Sequence, residues 1–373
     1  MKVCLIGPAY PLRGGIAHYT AFLANALRKQ HDVTLLAFTR LYPSLFFPGT
    51  TEFDTSRRRF AAEGESIFDP LDPRSWVRTA RRIRALAPDL IIVQWWSPIF
   101  AIPIGTLIRL VRRHASPRVL FICHNVTPHE RIPGEGLLPR FAFAVADLFI
   151  VHSGEDLANL RAIQPDARIQ KLFLPINNGF GPPIAKAEAR HRLGLSASPT
   201  ILFFGLIRRY KGLPHLLQAM PLILRTIDCT LLIVGEFYDG REECLGLIRS
   251  LDLSARVRLV DRYVPNEEVA LYFSAADLVV LPYTSATQSA VVPIAYSFER
   301  PVVTTKVGGL PEVVIDGLTG FLVDPANPAA LAEAISRYFR EAREAEFVKG
   351  ITRQRERLSW ERFTDEITAL CQR

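Results

Sequence analysis

Residues 277–314 read D-L-V-V-L-P-Y-T-S-A-T-Q-S-A-V-V-P-I-A-Y-S-F-E-R-P-V-V-T-T-K-V-G-G-L-P-E-V-V. Leu278 to Leu281 and Val302 to Thr305 have the length and β-branched content of buried strands, with a helix between them. Each run ends in a loop of small polar or glycine residues that opens a helix. Successive parallel strands with such crossovers bring both loops to one carboxyl edge of the sheet, where ligands of open α/β sheets bind. The first loop, Thr284 to Ser289, carries hydroxyls and one amide before a helix start, so its N–H groups and the helix dipole are expected to hold a phosphate. The second, Val307-Gly308-Gly309-Leu310-Pro311-Glu312, lets backbone approach a ligand without side-chain obstruction.

The same alternation extends in both directions. Toward the N-terminus, strands are expected at Val3 to Ile6, Asp32 to Phe38, Asp89 to Val93, Arg118 to Cys123, Ala146 to His152 and Arg168 to Leu174. Helices are expected at Ile16 to Arg28 and Pro73 to Leu86, the second basic and amphipathic. Ser153 or Gly154, with Glu155 and Asp156 behind it, marks another helix start. Pro175-Ile176-Asn177-Asn178-Gly179-Phe180-Gly181-Pro182-Pro183 then punctuates the chain as a domain boundary. Beyond it lie a helix from Ala185 to Leu195, strands at Thr200 to Phe204, Cys229 to Val234 and Val257 to Leu259, and helices at Pro328 to Arg343 and Trp360 to Leu370. Thr39 to Pro73 shows no periodicity and reads as a functional loop, an acceptor-side flap.

With 373 residues, 49% of them hydrophobic and 22% charged, the chain has the bulk of a globular protein of about two domains. Its net charge of +8 is uneven: residues 1–184 carry 22 Lys/Arg against 14 Asp/Glu, whereas the remainder is balanced at 23 and 23. Such a basic half suits anionic lipid headgroups or a phosphorylated acceptor, and no nucleic-acid motif accompanies it. Leu90 to Ile108 is free of charge and near bilayer-spanning length, but Pro98 and Pro103 divide it, so a buried strand, a turn and an apolar helix are expected instead. Five scattered cysteines without a C-x-x-C pair argue against a disulfide framework or zinc site and for a cytoplasmic setting. Met1-Lys2 leads directly into the first strand, and no leader peptide is expected.

Several residues fall at expected strand ends. Gly14-Gly15 closes the first loop before a helix that carries His18 one turn in, a phosphate-binding geometry without the G-x-G-x-x-G fingerprint. Trp95 and Trp96 follow a strand and offer stacking surfaces; adjacent strand residues face opposite ways, so at most one lines a ligand site. His124 and Asn125 follow another strand, with His129 and Glu130 beyond. Arg208 and Lys211 stand near a helix start after Thr200 to Phe204, and Gly235 follows Val234. No metal-binding cluster is visible, so cationic side chains are expected to neutralise a ligand's charge.

R-P-V-V-T-T-K-V-G-G-L-P-E-V-V-I-D-G-L-T-G-F-L-V-D-P, residues 300–325, resembles the donor-site block of glycosyltransferase family 4. The resemblance implies an α/β fold of the GT-B type, two Rossmann-like domains facing each other across a cleft. It places an acceptor-side domain at 1–180, a nucleotide-sugar-binding domain at 185–355, and a last helix, 356–373, packing back on the first domain. By the same resemblance His124 contacts the donor sugar near the reacting carbon. Together with the residue chemistry above, Gly14, Gly15, Arg208, Lys211, Gly235, Thr287, Gln288 and Ser289 are expected donor contacts, the last three in place of the family's usual sugar contacts. His18, Trp95, Trp96 and Asn125 are expected acceptor contacts. The family usually has an arginine directly after the glycine of the Gly205 loop; Leu206 stands there, so Arg208 or Arg209 must substitute.

The departure is sharper at a pair of glutamates typical of the family, replaced here by Ala286 and Ile294. Glu299 does not take over, because it lies roughly 140° around a helix from Ile294. The implied function is retaining, metal-independent and cofactor-free transfer of a sugar from a nucleotide diphosphate sugar to an acceptor hydroxyl, in cell-surface glycan or lipid-linked saccharide synthesis. The enzyme would be cytoplasmic, or peripheral on the inner membrane face through its basic first domain. Two alternatives share the fold: a non-catalytic protein binding a glycan or partner enzyme, motivated by Ala286 and Ile294, and a nucleotide-sugar 2-epimerase, which needs carboxylates of which these loops offer few candidates.

Overall fold

A computed structural model describes residues 1–41, 51–127 and 136–372. His129 and Glu130 lie outside the described residues. The chain divides into two compact units, one of Met1–Thr55, Arg59–Phe173 and Ser359–Arg373, the other of Ser56–Arg58 and Leu174–Leu358.

The first unit holds seven strands: β1 (Lys2–Gly7), β2 (Asp32–Phe38), β3 (Gly64–Phe68), β4 (Leu90–Trp95), β5 (Arg118–Cys123), β6 (Leu148–Val151) and β7 (Arg168–Lys171). They form one sheet in the order β3-β2-β1-β4-β5-β6-β7, and every paired neighbour is parallel. The helices α1 (Gly15–Leu27), α2 (Pro73–Leu86), α3 (Ala101–Arg112), α4 (Leu138–Phe143) and α5 (Gly154–Ile163) lie between strands in the chain. β4 is buried at all six positions, as expected of a strand covered on both faces by crossover helices. The uncharged run Leu90 to Ile108 thus becomes β4, a 3₁₀ turn at Pro98–Phe100 and most of α3. No helix among the described residues is long and apolar enough to cross a membrane.

Helix starts follow their local chemistry. Asp72 caps α2 by accepting from the Arg74 N–H at 3.0 Å, ahead of Pro73 in the first turn. Ser153 caps α5 by accepting from the Asp156 N–H at 3.0 Å. The stretch Thr39 to Pro73 differs from the expected loop. Gly64–Phe68 in it pairs with β2 as the sheet's edge strand, yet only Phe68 is buried, which is why no apolar alternation marks it.

The second unit holds α6 (Lys186–Arg192), β8 (Thr200–Phe204), α7 (Leu213–Leu224), β9 (Thr230–Val234), α8 (Arg241–Ser250), β10 (Val257–Val260) and α9 (Asn266–Ala275). These are followed by β11 (Leu278–Leu281), α10 (Val291–Ser297), β12 (Val302–Thr305), α11 (Leu310–Val313), β13 (Gly320–Val323), α12 (Pro328–Arg340) and α13 (Glu344–Gln354). Its parallel sheet runs β10-β9-β8-β11-β12-β13. The last helix, α14 (Trp360–Gln372), belongs to the first unit. There Glu361 pairs with Lys29 at 2.8 Å and Trp360 packs on Tyr19 of α1 at 5.2 Å between ring centres.

In both sheets the strand order reverses beside the first strand, between β1 and β4 and between β8 and β11. The carboxyl edges at these reversals are where open α/β sheets bind ligands.

Candidate functional site

At the β8/β11 reversal, β8 leads through Gly205 to a 3₁₀ turn, Arg209–Lys211, and α7. Gly212 joins turn to helix at φ 68°, and a Cβ there would lie 1.9 Å from the Pro282 carbonyl oxygen. Only glycine allows this close passage of the two loops. Thr284 ties them further, its N–H donating to the Tyr210 carbonyl at 2.8 Å. The Lys211 side chain thereby crosses over Gly205, its Nζ 3.2 Å from where a Cβ on that glycine would stand and 5.8 Å from the centre of the Tyr283 ring. Lys211 keeps some solvent contact, while protein crowds its ammonium. Burial first, and the Arg208 charge second, push its pKa down to about 8. The Arg208 guanidinium lies 5.0 Å over the Tyr238 ring. Arg209 turns toward α8 instead, 3.5 Å from Glu243.

The loop after β11 is built around Tyr283, whose hydroxyl is 3.3 Å from the Ser289 hydroxyl. Ser289 in turn accepts from the Val291 N–H at 3.2 Å. The Thr287 carbonyl accepts from the Gly309 N–H at 2.9 Å, which joins the loops after β11 and β12. Gln288 has a buried amide oxygen without a partner among the described residues.

At the β1/β4 reversal of the first unit, Gly14 is the N-cap of α1 and no side chain caps its first amides. His124 follows β5 and is buried, 3% exposed. Its backbone N–H donates to the Trp95 carbonyl at 2.7 Å, and its Nε2 is 2.6 Å from Gln94 Oε1 on the neighbouring strand β4. Tyr19 of α1 stands edge-on to it at 4.7 Å between ring centres, and His152, after β6, lies at 5.3 Å. Burial, and secondarily His152, hold His124 well below the usual histidine range, so it is neutral near pH 7. His152 donates from Nδ1 to the Leu172 carbonyl at 2.8 Å, and burial lowers its pKa to about 4. Asp156 fixes the loop after His124, accepting from the Val126 N–H at 3.0 Å and from Ser153 Oγ at 2.9 Å.

Residues 198–341 match the family model described as Glycosyl transferases group 1, and residues 13–172 match that of Glycosyltransferase Family 4. The chain belongs to glycosyltransferase family 4. A D-inositol 3-phosphate glycosyltransferase of Thermobifida fusca (strain YX) is 31% identical over 257 residues, covering 65% of this chain and 58% of that protein. A second, from Corynebacterium urealyticum (strain ATCC 43042 / DSM 7109), is 32% identical over 52% of this chain and 48% of its own. The chain thus spans about half the length of these curated relatives. A GDP-mannose-dependent alpha-(1-6)-phosphatidylinositol monomannoside mannosyltransferase of Mycolicibacterium smegmatis (strain ATCC 700084 / mc(2)155) is 26% identical over 90% of this chain and 88% of its own. Among solved structures, sucrose-phosphate synthase from Thermosynechococcus elongatus superposes with a TM-score of 0.77 at 22% identity, covering 99% and 98% of the two chains. Anabaena HepE in complex with UDP and glucose gives 0.76 at 18%, covering 98% of each. These likenesses establish the GT-B fold.

Against the family 4 pattern, the second unit brings Arg208, Lys211, Gly235, Thr287, Gln288 and Ser289 to loops at one sheet edge. Of the two arginines, Arg208 lies over the Tyr238 ring and its charge acts on Lys211, whereas Arg209 lies toward Glu243. Gly235 serves strand approach, since a Cβ there would lie 2.0 Å from the Gly205 carbonyl oxygen. The expected phosphate site at a helix start after β11 needs correction. α10 begins only at Val291 and has seven residues, and Ser289 already serves its first turn. Ala286 and Ile294 are buried, and Glu299 is exposed and paired with Arg355 at 2.8 Å, so Glu299 does not take the glutamates' place.

In the first unit Trp95 is a correction: it is wholly buried against Phe121 and Phe143 and has no surface for an acceptor. Trp96 keeps some exposure but packs on Phe38 and Phe100. His18 is 3.6 Å from Asp54 and edge-on to Phe60, a structurally committed histidine. Asn125 is partly exposed beside His124. Gln94, Tyr19 and His152 were not singled out from the sequence. A glutamine at the end of the apolar run L-I-I-V-Q was the one available signal.

Proposed function

We propose that this chain transfers a sugar, with retention, from a nucleoside diphosphate sugar to an acceptor hydroxyl in cell-surface glycan or lipid-linked saccharide synthesis. The observation that carries this reading is the crowded Lys211 ammonium over Gly205, beside Arg208, at the reversal edge of the second sheet. A diphosphate gains negative charge as its bond to the sugar breaks, and cations already in place stabilise it without reorganising. Lys211 and Arg208 supply that charge in a metal-independent scheme. In the first unit, the uncapped first amides of α1 behind Gly14 and Gly15 are anion donors, and neutral His124 offers a hydrogen bond to a sugar hydroxyl. The names of the relatives, built on inositol 3-phosphate and phosphatidylinositol monomannoside, favour a phosphorylated or lipid-linked acceptor.

The acceptor reading extends to a peripheral position on the cytoplasmic membrane face. In the first unit α2 packs on α3 and α3 on α4. These helices and the turns before them expose Val77, Ile99, Ile102, Leu137 and Phe141, with Arg74, Arg78, Arg81 and Arg140 also exposed. Apolar side chains among arginines suit an anionic lipid surface. Leu137→Asp with Phe141→Asp should cut sedimentation with phosphatidylglycerol vesicles; unchanged sedimentation would remove the membrane from this account.

Incubation with UDP-, GDP- and ADP-sugars, purified inositol phosphates and membrane lipid extract tests the reaction. Nucleoside diphosphate release with a retained anomeric linkage is expected; an inverted product contradicts the mechanism. Buried Ala286 and Ile294 favour one rival, a non-catalytic glycan-binding protein, which glycan binding without turnover of any donor would support.

A further inference from the structure

Gln94 is wholly buried at the carboxyl end of β4, at the reversal point of the first sheet. Nothing in its strand requires a polar side chain, since Ile91, Ile92, Val93 and Trp95 around it are all buried and apolar. The fold makes room for it: a Cβ on Gly7 of β1 would lie 2.6 Å from Gln94 Cγ. Its amide oxygen meets His124 Nε2 at 2.6 Å. An amide oxygen only accepts, so the imidazole proton sits on Nε2 and Nδ1 keeps a bare lone pair. Nδ1 has no protein partner among the described residues.

His152 makes the complementary choice, donating from Nδ1 to the Leu172 carbonyl and leaving Nε2 as the acceptor. The Gln94 amide nitrogen, Tyr19 hydroxyl and His152 Nε2 are all buried without a partner among the described residues, a donor, an amphoteric group and an acceptor around one histidine. The network is polar throughout and carries no formal charge near pH 7, because burial keeps both imidazoles neutral.

We infer that Gln94 is a positioning residue: it fixes His124 as the Nε2–H tautomer, so that Nδ1 accepts a hydrogen bond from a hydroxyl of the bound sugar. The sugar contact rests on the glycosyltransferase reading; the tautomer does not. A ring with the opposite tautomer would present an N–H to that hydroxyl and could no longer accept its proton.

The test is long-range ¹H–¹⁵N correlation on histidine-labelled full-length protein at pH 7, with no ligand. The wild type should show His124 protonated on Nε2 alone. Gln94→Leu should mix the tautomers or shift the proton to Nδ1, and Gln94→Glu, which keeps an acceptor, should restore Nε2–H. Gly7→Ala, which crowds Gln94 without removing its amide, repeats the test should Gln94→Leu fold poorly. A wild-type Nδ1–H ring, or a tautomer indifferent to these substitutions, overturns the proposal. Calorimetry then separates sugar from nucleotide: Gln94→Leu should weaken a nucleotide sugar about three- to tenfold, the worth of one neutral hydrogen bond, and its nucleoside diphosphate less than about twofold. Equal weakening of both overturns the sugar contact. If the wild type binds neither, the transferase reading fails while the tautomer result stands on its own.

Discussion

His152→Phe should remove a measurable part of the first unit's acid sensitivity. In the folded chain burial holds His152 at a pKa of about 4, against an ordinary 6.5 in the unfolded chain. Between these values the unfolded state binds more protons than the folded one, so stability rises with pH across the window. The contribution is complete above about pH 6.5 and drains away as pH falls toward 4. At about 1.4 kcal/mol per pH unit, wild type should lose about 2 kcal/mol through this residue between pH 7 and pH 5. His124, also held low by burial, acts in the same direction. Phenylalanine removes the titration but leaves the Leu172 carbonyl without its donor, a cost of about 1 kcal/mol at every pH. The two effects separate because only the first depends on pH. All four tryptophans, Trp76, Trp95, Trp96 and Trp360, belong to the first unit, so tryptophan fluorescence in urea follows that unit. Wild type and variant are compared at pH 7.5 and 5, and the variant's loss should be smaller by about 2 kcal/mol. Equal losses would refute the reasoning.

Gly212→Ala should disable the Lys211 loop. The substitution meets both a left-handed φ of 68° and the Pro282 carbonyl at 1.9 Å, so nucleotide-sugar affinity should fall at least tenfold by calorimetry while the first unit's tryptophan-monitored unfolding stays put. Ser153→Ala removes the α5 cap and one partner of buried Asp156. It should cost the first unit about 1–2 kcal/mol in urea, and a change within error would remove the cap from this account.

The sequence made the strands legible wherever both faces are covered. Leu278–Leu281, Val302–Thr305, Arg118–Cys123 and Thr200–Phe204 have the bounds their apolar runs suggest. The amphipathic pattern from Pro73 likewise set α2. Gly64–Phe68 escaped because an edge strand with one buried side chain has no pattern to read. Candidate site residues stood out in the sequence where chemistry and position coincide on one loop, as at Lys211 and His124. They were illegible where they depend on facing. The buried face of Trp95 and the pairing of Gln94 with His124 follow from the β4–β5 register, which joins Gln94 to Ile122 and Trp95 to Cys123. Arg208 and Arg209 are adjacent and chemically equal in the sequence; the 3₁₀ turn places one over Tyr238 and the other toward Glu243.

The most direct test of the donor site is calorimetric titration of the intact chain with UDP-, GDP- and ADP-sugars at pH 7 and pH 9, beside Lys211→Ala. One donor should bind at pH 7. Affinity should fall up to about tenfold at pH 9, because a lysine with a pKa of about 8 is then mostly neutral and a nucleotide sugar's diphosphate does not change charge. Lys211→Ala should bind weakly at both pH values, with that pH dependence gone. No donor binding to the folded chain, or binding indifferent to Lys211→Ala, would contradict the account.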